Sequence, residues 1–406
     1  MNKYILKDLL EIKNGKDHKH LSDGSIPVYG SGGVMRYANN SIYDDESILL
    51  PRKGTLNNIQ YVNKPFWTVD TIYYTIVNKE KANPYYLYNY LRLLDLSTLN
   101  SGTGVPSMTF GAYYDVEVKL PDLNTQTQLA KVLSDLDAKI ELNNKINAEL
   151  EAMAKLIYDY WFVQFEFPFD FAQGKPKPDI KPYKSSGGKM VWNEELKREI
   201  PEGWEVNLLT EEMDLQYGFP FSTKKFNTDN NGVPVVRIRD IQNSTISNYS
   251  TEEVDMKYKL NKGDLIVGMD GNFHMNYWTK ENCYLNQRCL RIRSTETSIS
   301  EIQARYQTEP FIKAREKNVS RTTVAHLSAR DINELRILKA TKDLQSKANS
   351  FFESILNKLT TNNQENQKLA ELRDWLLPML MNGQVKVSSQ EDRLNMAAET
   401  QAKYSK

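Results

Sequence analysis

The sequence predicts an α+β chain: two β-rich domains separated by two long antiparallel coiled-coil helices, related by a pseudo-twofold internal repeat. Three observations predict it. Asn143-Asn144-Lys-Ile-Asn147-Ala-Glu-Leu150 reappears 219 residues on as Asn362-Asn363-Gln-Glu-Asn366-Gln-Lys-Leu369. Ser101-Gly-Thr103-Gly-Val105 answers Ser320-Arg-Thr322-Thr-Val324 at the same offset, and slightly upstream Ile48–Gly54 answers Leu265–Gly271. A near-constant offset across separated stretches marks a duplicated unit. In each copy a β-rich segment comes first and one long helix follows.

Residues 1–123 form the first globule. Ile26-Pro-Val-Tyr29 and Ser47-Ile-Leu-Leu50 are short strand-like runs, each followed by a glycine-containing turn, and residues 67–77 alternate as a strand does. Pro84 opens a short helix, since its fixed φ suits the first helical position. Val116–Leu120 is a last strand, ended by Pro121.

Residues 124–162 hold the first spacer helix, with no Gly or Pro to break it. Its heptads place Leu129, Leu136, Asn143, Leu150 and Ile157 at a, and Val132, Lys139, Ile146, Met153 and Tyr160 at d. Residues 342–382 hold the second. Its a positions are Ala348, Ile355, Asn362, Leu369 and Leu376, and its d positions Phe351, Lys358, Glu365, Leu372 and Met379. Both helices are apolar at their ends and polar at mid-length. A polar core position costs stability and fixes register, so Asn143 and Asn362 are the register residues and the two helices pair with each other. Residues 163–200 read as a linker, extended where Pro-rich and flexible where Ser/Gly-rich. Residues 201–341 are the second globule, with strand runs at Pro234–Arg239, Asp264–Val267 and Cys289–Arg293. Residues 383–406 are a polar tail.

The chain of 406 residues has 52 basic and 52 acidic side chains, a balance that argues against indiscriminate coating of nucleic acid and leaves room for localised basic groups. No apolar run approaches the roughly 18 residues that span a membrane. Asp8 and Glu11 interrupt what would be a signal peptide's apolar core. Cys283 and Cys289 make neither a disulfide framework nor a zinc site, and a reducing cytoplasm is expected.

Catalytic motifs are missing. There is no phosphate-binding P-loop, no His-Glu-x-x-His, no Gly-x-Ser-x-Gly and no amino-methyltransferase Asn/Asp-Pro-Pro-Tyr. Gly30-Ser-Gly-Gly33 and Gly102-Thr-Gly104 do not complete a dinucleotide loop, and the four histidines are scattered, so no metal site is expected.

What remains are polar and basic residues on glycine-containing loops. In the first half they are Arg36, Arg52, Lys53, Thr55, Asn57, Asn58, Ser101, Thr103, Ser107 and Thr109. In the second they are Lys224, Lys225, Arg237, Arg239, Asp270, Asn272, His274, Arg288, Arg321, Thr322, Thr323 and His326. Such side chains supply hydrogen bonds to phosphates and base edges, and glycine lets a backbone come close to a partner. Singly, each is more often a solvated loop residue; their recurrence in both copies points the set towards DNA binding.

The pattern resembles the specificity subunit of type I restriction–modification systems. The resemblance is carried by Ile200-Pro-Glu-Gly-Trp204-Glu, Leu285-Asn-Gln-Arg288, the Ser-Gly-Thr-Gly-Val and Val-Ser-Arg-Thr-Thr-Val runs, the Asn-Asn heptads and the Tyr160-Trp-Phe-Val-Gln-Phe165 exit, and it covers essentially the whole chain. The first half departs from it in lacking a Trp-Glu opening, which leaves open whether its first strand is shortened. The resemblance implies two target recognition domains, each reading half of a bipartite DNA sequence, with the helices setting the spacer. It implies no catalysis in this chain: modification subunits, two in number, bring S-adenosylmethionine and adenine methylation, and restriction subunits bring ATP and Mg. Two other classes are a coiled-coil adaptor that binds no DNA, and a self-sufficient methyltransferase, which needs the cofactor loop this sequence lacks.

Overall fold

The computed structural model describes residues 1–54, 56–99, 106–167, 182–317 and 325–385. The middle of the expected linker (168–181, mostly its Pro-rich part, expected to be extended), the expected tail beyond residue 385 and Thr55, Ser101, Thr103, Arg321, Thr322 and Thr323 lie outside the described residues. The chain divides into two compact units, Met1–Lys139 with Leu369–Lys406, and Ile140–Lys368.

In the first unit the four-residue strand Asn2–Ile5 pairs antiparallel with Glu117–Leu120. In the second, Glu205–Leu208 pairs in the same way with Arg336–Lys339. Both ladders run over four residues, so the first strand is not shortened relative to its counterpart.

Each unit then carries a four-stranded sheet. The order is Leu10–Asn14, Ile72–Val77, Ser47–Pro51, Gln60–Val62 in one and Asp214–Tyr217, Cys289–Arg293, Leu265–Gly268, Met275–Tyr277 in the other. Ser47–Pro51 and Leu265–Gly268 are interior strands and buried along their whole length, as apolar runs between two neighbours should be. A second sheet, of three strands in the first unit and four in the second, follows, and both contain one parallel pair: Val28–Tyr29 with Trp67–Thr68, and Val235–Val236 with Tyr284–Leu285. The single strand expected over residues 67–77 is therefore two. Trp67–Thr68 belongs to the smaller sheet and Ile72–Val77 to the larger, and the chain changes sheets at Val69–Thr71.

Pro84–Arg92 is helical as expected, with Asn83 Oδ1 accepting the Tyr86 N–H at 2.9 Å. Its counterpart, Glu301–Lys317, is longer and carries Pro310 inside it. The strand expected over Pro234–Arg239 stops at Val236, and Ile238–Ile241 is a helical turn.

The two long helices are Leu123–Tyr158 and Lys342–Met381. A turn of π-helix, Asp159–Val163, ends the first. Within the second unit Asn143 Nδ2 donates to Glu365 Oε2 (2.8 Å) and Asn366 Oδ1 (2.9 Å), and Asn362 Nδ2 donates to Asn147 Oδ1 (2.8 Å). Partners descend on one helix as they ascend on the other, so these segments run antiparallel. In the first unit Arg373 reaches Asp137 at 2.7 Å, and Leu129 and Leu133 share a core with Leu377 and Leu380.

The a-position residues Asn143 and Asn362 lie on this seam, and of the expected d column Glu365 does too, bonded to Asn143, whereas other d positions turn away from it. Residues that meet across the helices also include Leu133 with Leu380, Asn147 with Asn363, Asn366 with Asn143 and Arg373 with Asp137, whereas the buried Gln126 and Gln345, also 219 residues apart, bond within their own globules. Met153 and Leu372, expected at d, face solvent. The packing of Leu129, Leu136, Leu150 and Ile157 against Leu369, Leu372, Leu376 and Ile355 accordingly fails at Leu372.

The described ends of the linker are folded rather than loose. Phe162, Phe165, Phe167 and Tyr183 gather on Trp204, with Phe167 stacked on Tyr183 at 4.7 Å and on Trp204 at 5.2 Å. Ser185–Gly188 forms hydrogen-bonded turns, and Met190–Asn193 pairs with Arg198–Pro201 as a hairpin. Each fully buried aromatic contributes about 1.5–3 kcal/mol, which the Ser/Gly composition did not foretell.

Candidate nucleic-acid interface

Three chain segments meet at the same place in each unit. In the first, Lys53 is bridged to Ser107, Gly54 N donates to Pro106 O (3.0 Å), Met108 N donates to Arg52 O (2.9 Å) and Arg52 N donates to Thr71 O (2.9 Å). In the second, Asp270 is bridged to His326, Gly271 N donates to Ala325 O (2.9 Å), Leu327 N donates to Met269 O (2.8 Å) and Met269 N donates to Arg288 O (2.9 Å). The duplication thus extends to individual backbone hydrogen bonds. Gly54 and Gly271 have φ of +88° and +71°, a conformation that costs glycine little and other residues more. They allow the strand end to turn sharply and present its neighbours.

Several expected loop residues stand on these junctions. In the first unit Lys53 and Asn57 are exposed, and Arg52 is half-buried, its guanidinium donating to Asp70 O (3.3 Å) and lying 5.8 Å over the Tyr73 ring. Asn58 Nδ2 donates to Ser31 O at 2.7 Å and so ties the loop to the Gly30–Gly33 turn. In the second unit Asp270 Oδ2 lies 3.2 Å from Arg288 Nη1, and its Oδ1 lies 2.6 Å from His326 Nδ1. Asn272 is exposed beside them and His274 is half-buried.

Others are already committed within the fold. Arg36 pairs with Asp23 (2.8 Å) and donates to Leu21 O (3.1 Å). Arg237 is packed between Phe226, Ser247 and Asp240; burial, with Arg239 nearby, pulls its guanidinium below the ordinary arginine value. Thr109 caps Phe110–Tyr114 by accepting the Ala112 N–H. Lys224, Lys225 and Arg239 are exposed on separate turns. The partners Asp23, Asp240 and Ser247 were missed in the sequence, because nothing in the spacing of charges says which carboxylate will face which arginine.

Among the described residues no group of three or more His, Cys, Asp or Glu could hold a metal ion, and no helix is long and apolar enough to cross a membrane.

The family model described as type I restriction modification DNA specificity domain matches residues 1–152 and 201–371. Among similar proteins, the type I restriction enzyme MjaIX specificity subunit of Methanocaldococcus jannaschii is 24% identical over 85% of this chain and 79% of its own length. The HindI specificity subunit of Haemophilus influenzae is 24% identical over 70% and 72%. The EcoBI specificity subunit of Escherichia coli is 32% identical over 33% of this chain and 28% of its own. Among solved structures, the type I restriction–modification S subunit of M. genitalium shares the fold, with a TM-score of 0.59 at 15% identity over 93% of this chain and 95% of that one.

Proposed function

The chain belongs to the type I restriction–modification DNA specificity family, and from that premise we propose that it reads a bipartite DNA target, one half-site per unit, as the non-catalytic subunit of a cytoplasmic methyltransferase and endonuclease complex. The observation that carries this reading is the duplicated three-segment junction, which sets Lys53 and Ser107 in one unit where Asp270 and His326 stand in the other. One backbone scaffold with different side chains is what two readers of different sequences need. Polar loops held by backbone bonds contact base edges, and nearby lysines position the phosphates.

The long helices are proposed as the spacer. The first has 36 residues and is about 54 Å long at about 1.5 Å per residue, against about 34–36 Å for one turn of DNA. They are also proposed as the dock for two modification subunits. Exposed apolar residues recur at the repeat offset: Met153 and Leu156 (48% and 66% exposed) correspond to Leu372 and Trp375 (42% and 57%). Two like surfaces suit two copies of one partner. S-adenosylmethionine, ATP and Mg belong in this reading to the modification and restriction subunits.

Sequencing of methylated bases in a host with and without this gene tests it. A bipartite adenine-methylation motif should be present with the gene and lost without it. The purified chain alone should neither methylate nor cleave DNA. Methyl transfer by the chain alone would favour the self-sufficient enzyme, and an unchanged methylome would favour the adaptor.

A further inference from the structure

Resting on the reading of this chain as a DNA-sequence-reading subunit, we propose that Arg288 reads a guanine in the second unit's half-site, with Asp270 as its positioning residue. Arginine offers five N–H donors in a planar fork. At Arg288 one nitrogen of the fork, Nη1, is ion-paired with Asp270 Oδ2 at 3.2 Å, while 57% of the side chain remains exposed. The carboxylate is itself held from its other oxygen by His326 Nδ1 at 2.6 Å. Beneath them the backbones are tied, Met269 N to Arg288 O and Leu327 N to Met269 O. The guanidinium is therefore aimed before any partner arrives, which lowers the ordering cost of binding.

The same carboxylate decides what Arg288 suits. A phosphate brought to this guanidinium would be set beside the Asp270 charge, and like charges at that range repel. A base edge carries no net charge. The two acceptors that match a guanidinium fork are O6 and N7 of guanine in the major groove. Arg36 and Arg237 are not equivalent, because each is half-buried and spends its donors on partners inside the fold. Nor does the first unit repeat the device: there Thr71 stands in the place of Arg288, exposed Lys53 in that of Asp270, and Ser107 in that of His326. A lysine so placed suits a phosphate, and the two half-sites are read by different chemistry.

The test uses the complex with its modification subunits. Methylome sequencing with the wild type should show an invariant guanine in the half-site of the second unit. R288A and R288K should relax that one position, with the first half-site and the spacing unchanged; an identical motif in R288A would overturn the proposal. Should a variant fail to fold, wild-type binding to duplexes carrying 7-deazaguanine at each guanine in turn gives the answer. One position in that half-site should weaken binding about tenfold, and no effect at any would overturn the proposal. D270N should relax the same position and add nothing to R288A in the double variant. A uniform loss over all sequences would overturn the positioning role. A wild-type complex with no bipartite motif would overturn the functional reading as well, and so marks its failure apart.

Discussion

Asn143 and Asn366 meet across the two long helices, Nδ2 to Oδ1 at 2.9 Å, and Asn143 is only 1% exposed. The same Nδ2 donates to Glu365. A buried amide that serves two partners on the facing helix fixes both the direction and the register of the pair. N143A removes this donor from Glu365 and Asn366 while opening no large cavity. It should destabilise the protein by about 1–3 kcal/mol in urea unfolding. A change under about 0.5 kcal/mol would mean that solvent replaces the amide at no cost.

Glu301, at the start of the helix Glu301–Lys317, is buried, and burial raises its pKa above the ordinary 4.5, offset in part by hydrogen bonds from Ser294. With the folded pKa above the unfolded one, the native state holds the proton more tightly. The stability this gives is fully present below about pH 4.5 and is lost as pH rises through the folded value. E301Q keeps an acceptor for Ser294 without the charge. Wild-type stability should therefore fall relative to E301Q over that window and run parallel to it above. Parallel curves throughout, in denaturant titrations at stepped pH, would show that Glu301 carries no such penalty.

Much of this was legible because a duplication prints the same signal twice. The Asn-rich heptads found the helices and the antiparallel seam, and the glycine-bearing runs found the junction at Lys53 and Asp270. Part of the second seam column was misplaced because a mid-helix of Asn, Lys and Glu fits two heptad phases equally well. Met153 looked like a core residue, whereas Gln126 and Gln345 are buried, their amides bonded to neighbouring backbone. Glu301–Lys317 does not read as a helix from sequence, since Pro310 lies inside it and Glu301, Gln303 and Thr308 are among its buried residues. Ion pairs such as Arg36 with Asp23 and Arg237 with Asp240 depend on which strands become neighbours, and a single sequence does not carry that.

On the proposed reading, the matched junctions should make the half-sites exchangeable. Replacing residues 204–340 by the corresponding segment of another member of the family should change one half of the methylated motif and leave the other. The graft boundaries fall at the strand pair Glu205–Leu208 and Arg336–Lys339, so its own ladder closes the transplanted globule. Methylome sequencing reads the result directly. A change in both halves would mean that the two readers are not independent.

The proposed spacer role of the long helices offers the sharpest link between helix geometry and DNA. Four residues inserted beside Asn143 add about 6 Å at about 1.5 Å per residue. They turn the helix by about 400°, close to one full turn plus 40°, so the seam columns through Leu133, Asn143 and Ala154 are nearly kept. Inserting two residues instead would rotate the seam by about 200° and set charged positions against the partner helix, which should unfold the pair. With the four-residue insertion the gap between half-sites should lengthen by about two base pairs, at roughly 3.4 Å per pair, and both half-sites should stay the same. A four-residue variant that folds, supports methylation and keeps the original gap would show that the helices do not measure the spacing.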